Sequence, residues 1–207
     1  MISISRDRRS LYAAFRYLIL GTIGASFILI SVGLLYSLTG TLNIIDIHER
    51  LSSVSNQNTV FTAMVFFIFG VALKAAVFPL HAWLPDAYSY SPSIVSTFLA
   101  GTTTKVFLYV LLRFIYSLFG YELSFIDATF QYLLLLMACF GILYGSIAAM
   151  KQDSLKRLLA YSSIAQIAYM VLGISLLNEL GLLAALTHIF KHAMIKVSLF
   201  IQQIAIR

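Results

Sequence analysis

Long apolar runs separated by short polar breaks dominate the chain. Six runs reach the roughly 20 residues that a membrane-spanning helix needs, at about 15–38, 59–80, 93–118, 129–150, 158–177 and 181–205. The breaks "TGTLNIIDIHERLSSVSNQN", "HAWLPDAYSYSPS", "GYELSFID", "KQDSLKR" and "NELG" hold most of the charges and turn residues. Lipid offers the backbone no hydrogen bonds, so each span must satisfy its own amides within a helix. The pattern therefore predicts an all-α integral membrane bundle of about six transmembrane helices, one transmembrane domain over residues 1–207. No low-complexity linker divides it. One span is interrupted. In "VALKAAVFPLHAWLPDA", Pro79 has no amide to bond the carbonyl of Ala75 and its ring clashes there, so the 59–80 helix is expected to break near Pro79. Ser91-Pro92-Ser93 offers the third span a start, with proline near its first turn.

Composition agrees with a membrane protein. The chain is 60% hydrophobic and 11% charged, where soluble domains carry roughly 25% charge. The net charge of +6 does not form a nucleic-acid surface, because the basic residues divide between short loops and apolar segments. The single cysteine, Cys139, can make neither an internal disulfide nor a metal cluster. The opening "MISISRDRRSLYAAFRYLIL" puts basic residues before an apolar run, as a signal peptide does. That run continues to about residue 38, too long for a signal peptide's apolar region, so a spanning helix is expected. Cytoplasmic loops are enriched in Lys and Arg. With the N-terminus cytoplasmic, that side receives Arg6, Arg8, Arg9, Arg16, Lys151, Lys156, Arg157 and Arg207, and the acidic loops with Glu49, Glu122 and Glu179 fall outside. Both termini are then cytoplasmic, in a multi-pass protein of the cell (inner) membrane.

Subtracting the loop charges leaves Lys74, Lys105, His188, Lys191, His192 and Lys196 at membrane depth. A charged lysine at a helix centre costs about 2.5–3.5 kcal/mol on the insertion scale, so such residues face a bundle interior and serve a function. Snorkelling accommodates Lys191 and Arg113. It does not fit Lys105, about 18 Å from either end of its span. His188, His192 and Lys196 fall four apart and share one helical stripe. Lys105, Tyr109 and Arg113 repeat the spacing below Thr97 and Gly101, and Ser162, Gln166 and Tyr169 form a third polar stripe. Helix–helix hydrogen bonding explains the hydroxyls and amide of the third stripe equally well, but not the lysines and histidines. Burial brings an amine's proton affinity toward neutral pH, and histidine begins there. A row of such groups linked by hydroxyls and water has the composition of a proton relay. A metal is disfavoured, since lysines flank the histidine pair and no acidic ligand is near.

Three stretches carry a resemblance: "LKAAVFPLHAWLPDAYSYSPSIVSTFLAGTTTKVFLYVLLRF", "MKQDSLKRLLAYSSIAQIAYMVLG" and "HIFKHAMIKVSLFI". Together they resemble the antiporter-like membrane subunits of respiratory complex I (NADH:quinone oxidoreductase) and of Mrp-type cation:proton antiporters. "DAYSYSPSIVSTFLAG" and "HAMIK" look closer to the Mrp D-type subunit. The resemblance implies that Lys74 is the lysine of the discontinuous helix, Lys105 that of the next helix, and His188, His192 and Lys196 the row of the central hydrophilic axis. These are the family's proposed proton-transfer groups, with Tyr109, Ser162 and Gln166 as supporting polar residues. Asp86 and the "KQDSLKRLLAYSS" loop match signatures with a structural role.

The departures from the family pattern are informative too. In the family, the first lysine pairs with a glutamate on a helix before the one that opens this chain, and a second broken helix follows the point where it stops. Six helices then correspond to the middle of a longer subunit, and the chain is expected to be a central fragment, a split gene product or a degenerate copy. The expected function is proton translocation as a subunit of such a complex. The expected partners are other membrane subunits, the lipid bilayer, protons and, as a second cargo, Na+. The alternative is a non-conducting membrane scaffold or inactive copy. No catalytic residue, cofactor or metal site is expected, since there is no cysteine cluster, nucleotide fingerprint or haem pattern. An oxidoreductase activity would belong to the whole complex.

Overall fold

The computed structural model describes residues 2, 7–52, 54, 56–119 and 129–205. Among these the chain is all-helical. Helix α1 is Arg8–Thr39, α2 Ile44–Leu51, α3 Gln57–Ala75 and α4 Leu84–Tyr90. They are followed by α5 (Ser93–Phe119), α6 (Thr129–Met150), α7 (Leu155–Ser175) and α8 (Glu179–Ala205). Six of the eight, all but α2 and α4, are long and apolar enough to cross a membrane. The acidic residues Glu122 and Asp127 of the third break, with Arg6 and Arg207, lie outside the described residues.

The helices alternate in direction, and side-chain ties show which ends lie together. Arg16, near the start of α1, pairs with Asp86 of α4 at 3.2 Å. Lys156, at the start of α7, donates to Ser91 O at 2.9 Å. At the opposite end His48 Nδ1 bonds Leu118 O at 2.8 Å. The Arg16–Asp86 pair and the Lys156 bond thus tie helix ends together. Lys156 is 9% exposed, so it joins two helix ends rather than standing in solvent as a loop charge.

Small residues set the closest helix contacts. A Cβ on Gly70 of α3 would lie 2.7 Å from Gly24 O of α1. On Gly145 of α6 it would lie 2.6 Å from the Ala165 amide of α7. Gly141 and Gly145 form a Gly-x-x-x-Gly face, the arrangement that lets membrane helices approach backbone to backbone. The α6–α7 and α1–α3 pairs accordingly have the most extensive packing in the bundle, and α5 sits between α3 and α8.

The helix break lies as expected, but α3 stops earlier than the 59–80 run. Its last residue is Ala75, and Ala76 takes a left-handed conformation at φ 57°. The physical reason is Pro79. It cannot bond Ala75 O, and it disfavours helical geometry at Phe78, so the last helical turn loses its support. Ala72 O keeps its regular bond from the Ala76 amide and also takes the Val77 amide, which leaves Leu73 O without its helical donor. Trp83 Nε1 folds back to Leu73 O at 2.7 Å, with its ring edge-on to Tyr17. The chain then resumes as α4, so the predicted connection "HAWLPDAYSYSPS" contains a short helix.

Candidate functional site

Lys105 is placed by an irregularity of α5. Residues Leu99–Thr103 form a π-helical turn, which displaces carbonyls from the regular ladder. The Lys105 ammonium donates to one carbonyl of that turn, Ala100 O, and to Thr104 Oγ1 at 3.2 Å. It is only 5% exposed. On the same turn, Gly101 lies close enough to Val197 of α8 that a Cβ would meet the valine methyl. Having no side chain there brings α8 against α5.

Helix α8 supplies the rest of the row. Lys196, 2% exposed, donates to Leu159 O at 2.8 Å and Ser162 Oγ at 3.1 Å of α7. One turn earlier, His192 is buried with both ring nitrogens lacking a protein hydrogen-bond partner among the described residues. Its ring stacks on that of His188, with centroids 6.2 Å apart and planes 9° from parallel. His188 Nε2–H in turn donates to Gln166 Oε1 at 2.8 Å. Lys105, Lys196 and His188 all lie within electrostatic range of His192. In such a set the proton occupancy of each group depends on that of its neighbours.

Ser162, Gln166, His188, His192 and Lys196 line one cavity of about 240 Å³, with Lys191 exposed at its side. Polar side chains make up most of its lining, but both ring nitrogens of His192 are sealed from it, so water reaches them only after a local shift of the surrounding side chains. Among the described residues no group of three or more His, Cys, Asp or Glu side chains could hold a metal ion. The Arg16–Asp86 ion pair lies away from this row.

Two expected members stand apart. Lys74 lines a second cavity of about 320 Å³ between α1, α3 and α5, with its ammonium 5.2 Å from the Phe107 ring centroid. Thr103 and Phe107 share that cavity. They lie two residues either side of Lys105, which puts them on the opposite face of α5, so the helix separates the two lysines. Tyr109 is 45% exposed and lines a third cavity beside Arg113. Pro79 is exposed within the turn that follows α3.

Several contributors were not singled out from the sequence. The π turn before Lys105 has no residue signature. Leu159 O acts as an acceptor for both Ser163 Oγ and Lys196 Nζ, a backbone role that composition cannot show. His81 lies in the break, buried, between the rings of Phe78 and Tyr144. Its place within "PLHAWLPDA" was the available signal.

Comparison with known proteins agrees with this geometry. The family model described as "NADH:quinone oxidoreductase/Mrp antiporter, TM" matches residues 1–207. NADH-quinone oxidoreductase subunit N of Desulforudis audaxviator is 48% identical over 194 residues, covering 93% of this chain and 38% of that protein. The D-type subunit of the Na(+)/H(+) antiporter of Alkalihalophilus pseudofirmus is 27% identical over 201 residues, covering 97% of this chain and 40% of that one. Among solved structures, the membrane-bound sulfane sulfur reductase, an archaeal respiratory membrane complex, contains a chain that superimposes with a TM-score of 0.89. Identity to it is 31%, over 97% of this chain and 40% of that chain. The chain thus spans about two fifths of the length of the relatives it matches. A bundle of apolar spans with one broken helix, a buried lysine–histidine row and a family match from end to end make this a multi-pass membrane protein of the NADH:quinone oxidoreductase/Mrp antiporter transmembrane family.

Proposed function

We propose that this chain carries protons across part of the membrane within an antiporter-like subunit, through the row Lys105, His192, Lys196 and His188. The observation that carries the reading is His192. It is a buried histidine with two unpartnered nitrogens, set among two buried lysines and a second histidine, next to a cavity that Ser162, Gln166 and Lys196 also line. A structural histidine in a core would have its nitrogens bonded by protein. One that exchanges protons with water needs them available.

Protons would pass between the amines and imidazoles through water and the Ser162 and Thr104 hydroxyls. Lys74 would join from its own cavity on the far side of α5. A unit charge moved through the membrane field is worth about 2.3 kcal/mol per 100 mV, so a conformational change that alters the surroundings of one lysine supplies energy of the needed size. The partners are other membrane subunits, as for relatives that are subunits of respiratory or antiporter complexes. Protons are the primary cargo and Na+ the second candidate. The placement is the cell (inner) membrane, with the basic ends of α1, α6 and α7 and both termini on the cytoplasmic side.

His192→Phe tests the reading, because phenylalanine keeps the stacking on His188 and removes both nitrogens. Proton flux into vesicles carrying the assembled complex is expected to fall roughly tenfold or more. Unchanged flux would favour a membrane scaffold.

A further inference from the structure

The third cavity serves no step of proton transfer. It measures about 290 Å³ and lies between α1, α2, α3 and α5, lined by Val32, Leu35, Ile47, Phe67, Val110 and Leu118. Two of its lining residues carry polar ends, Tyr109 and Arg113. Arg113 is exposed and has no carboxylate or hydrogen-bond acceptor among the described residues. It lies six residues, about 9 Å, before the end of α5, within reach of the headgroup region for so long a side chain.

The roof of the cavity is built and latched. Helix α2 begins with exposed Ile44 and Ile45 and carries Asp46, Glu49 and Arg50 on the rest of its surface, the pattern of a helix lying in the membrane interface. Side-chain bonds to the neighbouring helices hold it. His48 reaches Leu118 O at 2.8 Å, and Arg50 Nη1 donates to Thr39 O at 2.7 Å. The cleft beneath is apolar, and the cation at its side is left without a counter-charge from the described residues.

We infer that this cleft binds one anionic phospholipid of the surrounding bilayer, with an acyl chain under α2 and the headgroup phosphate on Arg113. Charge complementarity selects the occupant. A guanidinium at this depth needs a partner, and a phosphate matches its fork of donors. An apolar helix of another subunit would fill the cleft but leave the cation unanswered. The site is independent of the proton row, because α5 presents a different stretch to each.

Native mass spectrometry of the purified full chain tests it, with dioleoylphosphatidylglycerol and dioleoylphosphatidylcholine offered together. One phosphatidylglycerol is expected to remain bound, with a preference of about tenfold, the size of one modest charge interaction. Arg113→Lys keeps most of that preference and Arg113→Gln brings it near unity. The site is exposed, so neither change disturbs a packed core. Dihexanoylphosphatidylglycerol, with the same headgroup and short chains, is expected to compete poorly, because the cleft holds the chain. Equal retention of both long-chain lipids, a preference that survives Arg113→Gln, or full competition by the short-chain lipid would each overturn the proposal. So would failure to retain any lipid.

Discussion

Lys105→Gln is expected to lower proton flux roughly a hundredfold, the lower end of what a positioned proton-transfer group contributes. Glutamine keeps a polar N–H donor facing Ala100 O and Thr104 Oγ1, the two acceptors that Lys105 uses, on a side chain one bond shorter. What it cannot do is gain or lose a proton. The π turn Leu99–Thr103 and the approach of α8 at Gly101 stay as they are, so the substitution separates titration from packing. Alanine would be a poorer test, because it would also vacate buried space. Lys151→Gln, at an exposed position beyond α6, removes the same charge from the same protein and is expected to leave flux unchanged. Flux in vesicles containing the assembled complex checks both. Equal loss in the two variants would mean that net charge, and not the row, governs transport.

The second large effect concerns stability. Gly145→Ala adds one carbon 2.6 Å from the Ala165 amide, a backbone atom that cannot rotate aside. Overpacking of this kind costs about 1–3 kcal/mol, while alanine's higher helix propensity returns about 0.8–1.0 kcal/mol. The difference is a net loss of about 0–2 kcal/mol, towards the upper end here because the clashing atom is backbone. Gly33→Ala is the opposite case. Nothing lies within 4 Å of a Cβ there, so only the propensity gain remains and this variant is expected to be slightly more stable. Unfolding in a graded detergent denaturant measures both, and opposite signs are the expected result. Gly145→Leu would enlarge the loss and separate α6 from α7.

These outcomes bear on how far the sequence alone reached. The row on α8 was legible because His188, His192 and Lys196 repeat every four residues in an otherwise apolar run, and no lipid-facing role suits them. The same spacing misled for Lys105, Tyr109 and Arg113. Each step of four residues turns the stripe by about 40°, so Lys105 is buried while Tyr109 and Arg113 have rotated to the outer face. Pro79 announced the break, but not that α3 would stop at Ala75, because that end is completed by the Val77 amide turning to Ala72 O and Trp83 bonding the freed Leu73 O. The hydrophobic pattern also could not show that Lys74 and Lys105 lie on opposite sides of α5. That follows from which helices pack on which face, a three-dimensional fact. The Gly-x-x-x-Gly face at Gly141 and Gly145 was present in the sequence, and its meaning becomes visible once Ala165 is seen across from it.

The central claim is that the basic residues border water inside the bundle. Thiol labelling tests this directly. In a Cys139→Ser background, Ser162→Cys and Leu143→Cys each place a thiol seven residues, about 10 Å, from the same end of the bundle. The first lines the polar cavity and the second faces outward from α6, 60% exposed. A charged, membrane-impermeant thiol reagent is predicted to modify Ser162→Cys and to spare Leu143→Cys in intact vesicles. Protection of both positions alike would mean that the cavity is dry, and would contradict a proton path through it.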